Sequence, residues 1–209
     1  MKEKPLLIVI AGPNGAGKTT FVEKISSDIL SKTIFVNADN IARKYRELHP
    51  EKKEEHINIM AGKEAVKFYV KYLFEKKSFS METTLSGNSP IQYLKKAKEG
   101  GFETSLIYIG IQSPSNSKIR IENRVLQGGH DIPDEDIIRR HERSMKNLRK
   151  AIEYCDRTKV YDNTLQKHEL LFELEGVNVK SIENVELPKW INKIIKYSAL
   201  KLGSEIEFI

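Results

Sequence analysis

Residues 12–19 read Gly12-Pro13-Asn14-Gly15-Ala16-Gly17-Lys18-Thr19, a full match to the P-loop spacing G-x-x-x-x-G-K-[ST]. This feature constrains the fold because such a loop works only between a strand and a helix. The apolar run Leu6-Leu7-Ile8-Val9-Ile10 precedes it, as expected of a strand buried on both faces. Thr20-Phe21-Val22-Glu23-Lys24-Ile25 then opens a helical pattern. The three glycines let the backbone bend around phosphates, and N–H groups at the helix N-terminus point at the anion. Lys18 can neutralise the β- and γ-phosphates, and the Thr19 hydroxyl can ligate Mg²⁺. A glycine-rich turn without chemistry is the competing explanation, and the flanking strand and helix argue against it. Residues 12–20 (through Thr20) are therefore expected to bind a nucleoside triphosphate, ATP with Mg²⁺.

With 209 residues, 31% charged and 39% hydrophobic, the chain suits one soluble α/β domain with a single substantial core. A formal charge of +6 is compatible with phosphate-rich ligands and equally with a solvated surface. Cys155 is the only cysteine, which excludes an intrachain disulfide and a Cys-rich zinc site and suits a reducing compartment. The N-terminal apolar run is too short for a secretion signal, and no stretch approaches the ~18 apolar residues of a membrane span. A cytoplasmic location without a membrane partner is expected.

The pattern along the chain predicts strands over residues 33–36, 78–81 and 104–109, with late strands at 159–161 and 169–172. Helices are predicted from about Ile41, over 56–76, from Pro90 to the Gly100-Gly101 stop, over 114–126, from Asp134, and over 187–202. Tyr69, Tyr72 and Phe74 on the long helix read as core, alongside Ile59, Ala65, Val66, Val70 and Leu73. Strands separated by helices predict a mainly parallel sheet of five or six strands, sandwiched by helices, with ligands at the carboxyl ends of the strands.

Among P-loop classes, a transporter-type ATPase is excluded. Leu85-Ser86-Gly87 starts its signature, but Asn88-Ser89 breaks it and Leu106-Ile107-Tyr108-Ile109 ends in Gly110 rather than an acidic pair. A GTPase switch is unsupported because no N-K-x-D motif occurs. A kinase-like arrangement remains, with an acid after the second strand and an arginine-bearing helical lid over about 118–150.

Over residues 5–165 the chain resembles the zeta toxin family of P-loop kinases, most closely its short single-domain bacterial members. The resemblance rests on the P-loop, on Val36-Asn37-Ala38-Asp39 and on the run from Phe79 to Gly87 (FSMETTLSG). It rests also on the run from Arg124 to Pro133 (RVLQGGHDIP) and on the basic run from Arg139 to Leu148. The resemblance implies transfer of the ATP γ-phosphoryl to a hydroxyl of a nucleotide sugar, UDP-N-acetylglucosamine, and an antitoxin protein as partner.

Asp39 lies just past a strand end, beside the P-loop strand, where a general base is needed, and the resemblance implies that role. A helix N-cap is its bland alternative, although Asn40 could serve instead. Glu82 and Thr83 follow a short buried strand and could bind an acceptor hydroxyl; the resemblance places them in the acceptor pocket. Nine Lys or Arg lie between Lys118 and Lys150, with Gly128-Gly129 as a flexible joint. Arg124 and Arg140 are the expected lid pair that bridges phosphoryl oxygens, with Arg139 and Arg143 as competitors. His130 reads as a lid-closure contact, and Asp162-Asn163 as a corner that lines the nucleotide base or forms a turn. Two rival activities stay open, a 5′-hydroxyl polynucleotide or nucleoside kinase and a non-catalytic nucleotide-binding regulator. The sequence shows no dedicated nucleic-acid module, and Lys18, Thr19 and Asp39 are all present.

Overall fold

The computed structural model describes residues 3–25, 30–129, 131–175, 178–181, 187–192, 194 and 206–208. The apolar run before the P-loop forms β1 (Leu6–Ala11), followed by α1 (Lys18–Ile25), β2 (Ile34–Val36), α2 (Ala38–Leu48) and α3 (Glu54–Glu75). Then come β3 (Phe79–Thr83), α4 (Ser89–Glu99), β4 (Glu103–Gly110), α5 (Pro114–Leu126) and α6 (Asp134–Ile152). The strands β5 (Arg157–Asp162), β6 (Glu169–Glu175), β7 (Asn178–Ser181) and β8 (Ile206–Phe208) complete the order. His130 and most of the helix expected over 187–202 lie outside the described residues; residues 189–192 are helical.

All these strands join one sheet in the order β2-β3-β1-β4-β5-β6-β7-β8. Neighbours from β2 to β5 run parallel, β6 and β7 are antiparallel additions, and β8 pairs parallel with β7. The expected mainly parallel sheet is therefore present, and two strands that the pattern did not predict, β7 and β8, take it to eight among the described residues. Asn178-Val179-Lys180-Ser181 has no apolar run, so its pairing was not legible locally.

Because strand side chains alternate, β1 feeds two cores. Leu7, Val9 and Ala11 pack with Leu94 of α4 and Leu148 of α6, whereas Ile8 and Ile10 pack with Phe21 of α1 and with Ile107 and Ile109. Helices thus cover both faces.

Three local expectations change. First, α2 begins at Ala38, not near Ile41, because the Asn37 Oδ1 accepts the Asp39 and Asn40 N–H groups at 2.7 and 3.2 Å. Asn37 is the cap, and neither Asp39 nor Asn40 is needed for it. Second, α3 buries Ile57, Ala61, Ala65 and Tyr69, a stripe of four-residue spacing with small alanines that admit α2 closely. Phe74 is 88% exposed, contrary to its core assignment, and Ile59, Val66 and Val70 are also exposed. Third, β3 rather than β2 pairs with the P-loop strand, so Asp39 follows a strand one place removed from β1. The α2–α3 crossover returns the chain into the slot between them.

Candidate active site

The parallel strands β1, β3 and β2 end on one edge of the sheet, and the three predicted site segments follow them there. A cleft of about 930 Å³ opens over that edge. Asn14, Gly15, Gly17, Lys18, Thr19, Thr20, Asp39, Glu82, Thr83, Arg124 and Arg140 all line it. Gly12, Pro13 and Ala16 do not, and instead shape the loop from behind. At Gly12, with φ of 148°, an added Cβ would lie 2.1 Å from the Ile109 carbonyl oxygen, so the loop can turn only there against bare backbone. The Pro13 carbonyl accepts the Lys18 ammonium at 3.1 Å and the Ala16 N–H at 3.3 Å.

Sheet register explains how the acidic half is assembled. Val36 is level with Met81, so the next residues on the two strands, Asn37 and Glu82, stand side by side. Asn37 donates from Nδ2 to a Glu82 oxygen at 2.9 Å while its own oxygen caps α2. One asparagine therefore orients both carboxylates, Glu82 directly and Asp39 through the first turn of α2. Burial pushes the Glu82 carboxyl above the usual carboxylate range; Lys18 and the Asn37 hydrogen bond oppose this, and Asp39 adds to it. Lys18 is only 8% exposed, and burial draws its ammonium below the ordinary lysine value against the pull of Glu82 and Asp39, while Arg124 draws it down further. Lys18 is thus a buried lysine at a helix N-terminus, facing two carboxylates and an arginine. Thr83 accepts the Leu85 N–H through its hydroxyl oxygen at 3.1 Å, leaving the hydroxyl proton for a ligand.

Of the four arginines weighed for the lid, Arg124 and Arg140 line the cleft, and Arg139 and Arg143 do not. Asp136 on α6 holds Arg140 at 2.8 Å and also pairs with Arg139. Lower on α6, Asn147 donates to the Leu85 and Gly87 carbonyls at 2.9 and 3.2 Å, fixing the turn after β3 to the helix. His141 meets the Ile111 carbonyl at 2.9 Å.

Sequence reasoning missed Asn37, Arg120, Gln166 and His168 as cleft residues and left Asp162-Asn163 undecided. The structure gives that pair separate jobs. Asn163 lines the cleft and bonds the P-loop, whereas Asp162 accepts from Trp190 Nε1 at 3.1 Å and from the Thr164 N–H and hydroxyl at 3.0 and 2.8 Å. Arg120 was counted among basic lid residues, yet it bonds backbone carbonyls. Only a three-dimensional neighbour relation, which no local pattern encodes, brings residues 120, 163 and 168 to residues 15, 16 and 17.

Among the described residues no cluster of three or more His, Cys, Asp and Glu is placed to hold a metal. No described helix is long and apolar enough to cross a membrane.

The family model described as Zeta toxin matches residues 1–170. The chain belongs to the zeta toxin family. An uncharacterized protein of Haemophilus influenzae is 38% identical over 132 residues, 63% of this chain and 89% of that protein. Among solved structures, one from the PezAT chromosomal toxin–antitoxin system of Streptococcus pneumoniae superposes with a TM-score of 0.63 at 22% identity, covering 82% of this chain and 72% of the other. The AvrRxo1-ORF1:AvrRxo1-ORF2 complex with ATP gives a TM-score of 0.66 at 17% identity, covering 82% of this chain and 59% of that one. At such identities these likenesses speak for the fold: the zeta toxin chain has the α/β architecture of P-loop kinases, with the arginine-bearing α5–α6 segment at its cleft.

Proposed function

We propose that this zeta toxin family member is an ATP-dependent kinase that transfers the γ-phosphoryl group to a hydroxyl of a nucleotide sugar, UDP-N-acetylglucosamine or a close relative. The observation that carries the reading is the convergence of Lys18, Asp39, Glu82, Arg124 and Arg140 on one cleft. A phosphate-clamping cation, a base, an acceptor-side carboxylate and two lid cations are the parts phosphoryl transfer needs.

The P-loop fits a triphosphate because its glycines keep the backbone bare and its buried ammonium is hydrogen-bonded to the neutral Pro13 carbonyl rather than to a carboxylate among the described residues. Loop N–H groups and Lys18 hold the phosphates, and Lys18 offsets charge on the β- and γ-oxygens. The Thr19 hydroxyl would hold Mg²⁺, whose remaining ligands are phosphate oxygens and water, a coordination that needs no all-protein cage. Bound there, the ion would neutralise developing phosphate charge. Asp39 takes the proton of the acceptor hydroxyl as its oxygen bonds to the γ-phosphorus and the bond to the ADP oxygen breaks. Arg124 and Arg140 stabilise the charge spread over the transferring oxygens. Glu82 and Thr83 orient the acceptor, since a carboxylate accepts hydrogen bonds from sugar hydroxyls.

A cytoplasmic setting and an antitoxin protein that covers the cleft belong to the same reading. The partner is supported by the toxin–antitoxin system named for the pneumococcal structure. The test is product analysis after incubating the protein with MgATP and either UDP-N-acetylglucosamine, nucleosides or 5′-hydroxyl oligonucleotides. An added phosphate on the sugar is expected. Transfer to oligonucleotide ends with none to any nucleotide sugar would replace the acceptor assignment and keep the phosphoryl chemistry.

A further inference from the structure

A P-loop turns its N–H groups toward phosphate only if its carbonyl oxygens point elsewhere. In this chain three consecutive loop carbonyls are each taken by a side chain from outside the loop. Arg120 of α5 donates from Nη1 to the Gly15 oxygen at 3.2 Å. Asn163, just past β5, donates from Nδ2 to the Ala16 oxygen at 2.8 Å. His168, just before β6, meets the Gly17 oxygen through Nε2 at 3.2 Å. A carbonyl only accepts, so the imidazole carries a proton on that nitrogen.

The three donors are also tied to one another. The second guanidinium nitrogen of Arg120 donates to the Asn163 carbonyl and, at 3.1 Å, to the Thr164 carbonyl. His168 rests edge-on against Phe21 of α1, with ring centroids 5.2 Å apart. The loop fits these donors without slack. A Cβ added at Gly17 would lie 2.4 Å from Asn163 Nδ2 and 3.3 Å from His168 Nε2. Burial lowers the His168 pKa below its ordinary value, so the ring binds the loop as a neutral donor at pH 7 and adds no charge of its own. Arg120 lies one helical turn before Arg124, so the same helix that fastens the loop presents a lid cation to the cleft.

We propose that Arg120, Asn163 and His168 form a three-point clamp that presets the P-loop for a polyphosphate, and that this clamp, together with Lys18, sets nucleotide affinity. These are positioning residues: each acts on the ligand through the loop backbone. The proposal rests on the kinase reading for its nucleotide, but not for its acceptor.

The experiment is calorimetric titration of the full chain with MgATP and with inorganic tripolyphosphate, alongside thermal melting. Arg120→Ala is expected to weaken both ligands by about tenfold or more, the scale of a lost charge-assisted hydrogen bond, and free guanidinium to restore part of the loss. Arg120→Lys, whose compact ammonium lacks the planar fork that reaches the Gly15, Asn163 and Thr164 carbonyls together, serves where the alanine variant does not fold and should also bind more weakly. His168→Phe keeps the ring contact with Phe21 and loses the donor, so affinity falls. His168→Gln restores an N–H donor and should bind within about threefold of the parent. If the parent binds both ligands and the Arg120 and His168→Phe variants bind equally well with only a lower Tm, the clamp is overturned and the kinase reading stands. Equal weakening in His168→Gln and His168→Phe overturns the hydrogen-bond basis of the clamp. Failure of the parent chain to bind either ligand overturns the kinase reading and the clamp together.

Discussion

The two halves of the cleft are built in opposite ways. On the nucleotide side, backbone dominates: loop carbonyls are bonded to Lys18, Arg120, Asn163 and His168, and glycines leave no room for alternatives. On the side proposed to take the acceptor, side chains dominate. Asp39 and Glu82 are aligned chiefly through Asn37, and Glu82 sits where burial works against its charge. A half built from backbone has one geometry and so one ligand class, whereas a half built from a few carboxylates and hydroxyls can be adapted to different acceptors.

The sharpest way to break the contrast is Lys18→Ala. It removes the only ammonium within the loop, and turnover with MgATP should fall by about 10³–10⁵, the range spanned by other cations that stabilise phosphoryl transfer. Unchanged turnover in protein free of contaminating kinase would remove the nucleotide half from the mechanism. Asp39→Asn probes the other half. The Asn37 cap survives because it engages backbone N–H groups, so the helix should fold and bind ATP while turnover drops about 10²–10⁴. Loss of folding at unchanged specific activity of the folded fraction would make Asp39 structural.

Next in size is a paired test on α6. Arg140→Ala should reduce turnover by about 10²–10³ with little change in ATP affinity. Arg139→Ala, at an exposed ion pair outside the cleft, should stay within about twofold. Equal effects from the two would mean that the lid acts through bulk charge. A smaller change than that of Arg140→Ala is expected for Glu82→Gln, which keeps the hydrogen bond from Asn37 and removes the carboxylate. The KM for UDP-N-acetylglucosamine should rise about tenfold. Its stability should move the other way. A carboxyl whose folded pKa lies above its unfolded value loses stability as pH rises between the two, and regains it as pH falls back. The variant should therefore melt above the parent at pH 7, with the difference shrinking as pH is lowered through that window. A melting curve that separates the two proteins at low pH instead would reverse the sign assigned to Glu82.

Local patterns sufficed where one element carries its own signal. The P-loop, its apolar strand, the Pro114 start of α5 and the glycine stop of α4 needed nothing from elsewhere in the chain. They failed where a neighbour decides. Ile59, Val66, Val70 and Phe74 have helical spacing, but the stripe that α2 and α4 bury is offset from them. Asn37 stands in the sequence only as part of the motif around Asp39, because its partner, Glu82, lies 45 residues away. The clamp residues were invisible for the same reason. Arg120 has the composition of a lid residue, and only the approach of the β5–β6 corner to the loop gives it another role.

The chain contains a single tryptophan. Trp190 lies so close over Gly110 that a Cβ there would come within 2.2 Å of its ring, and it donates to Asp162, whose neighbour Asn163 holds the P-loop. The protein thus carries an intrinsic optical reporter two residues' reach from its phosphate cradle. Changes in emission on ligand addition have one fluorophore of this kind as their source, so events at the loop can be timed in unlabelled, unaltered protein.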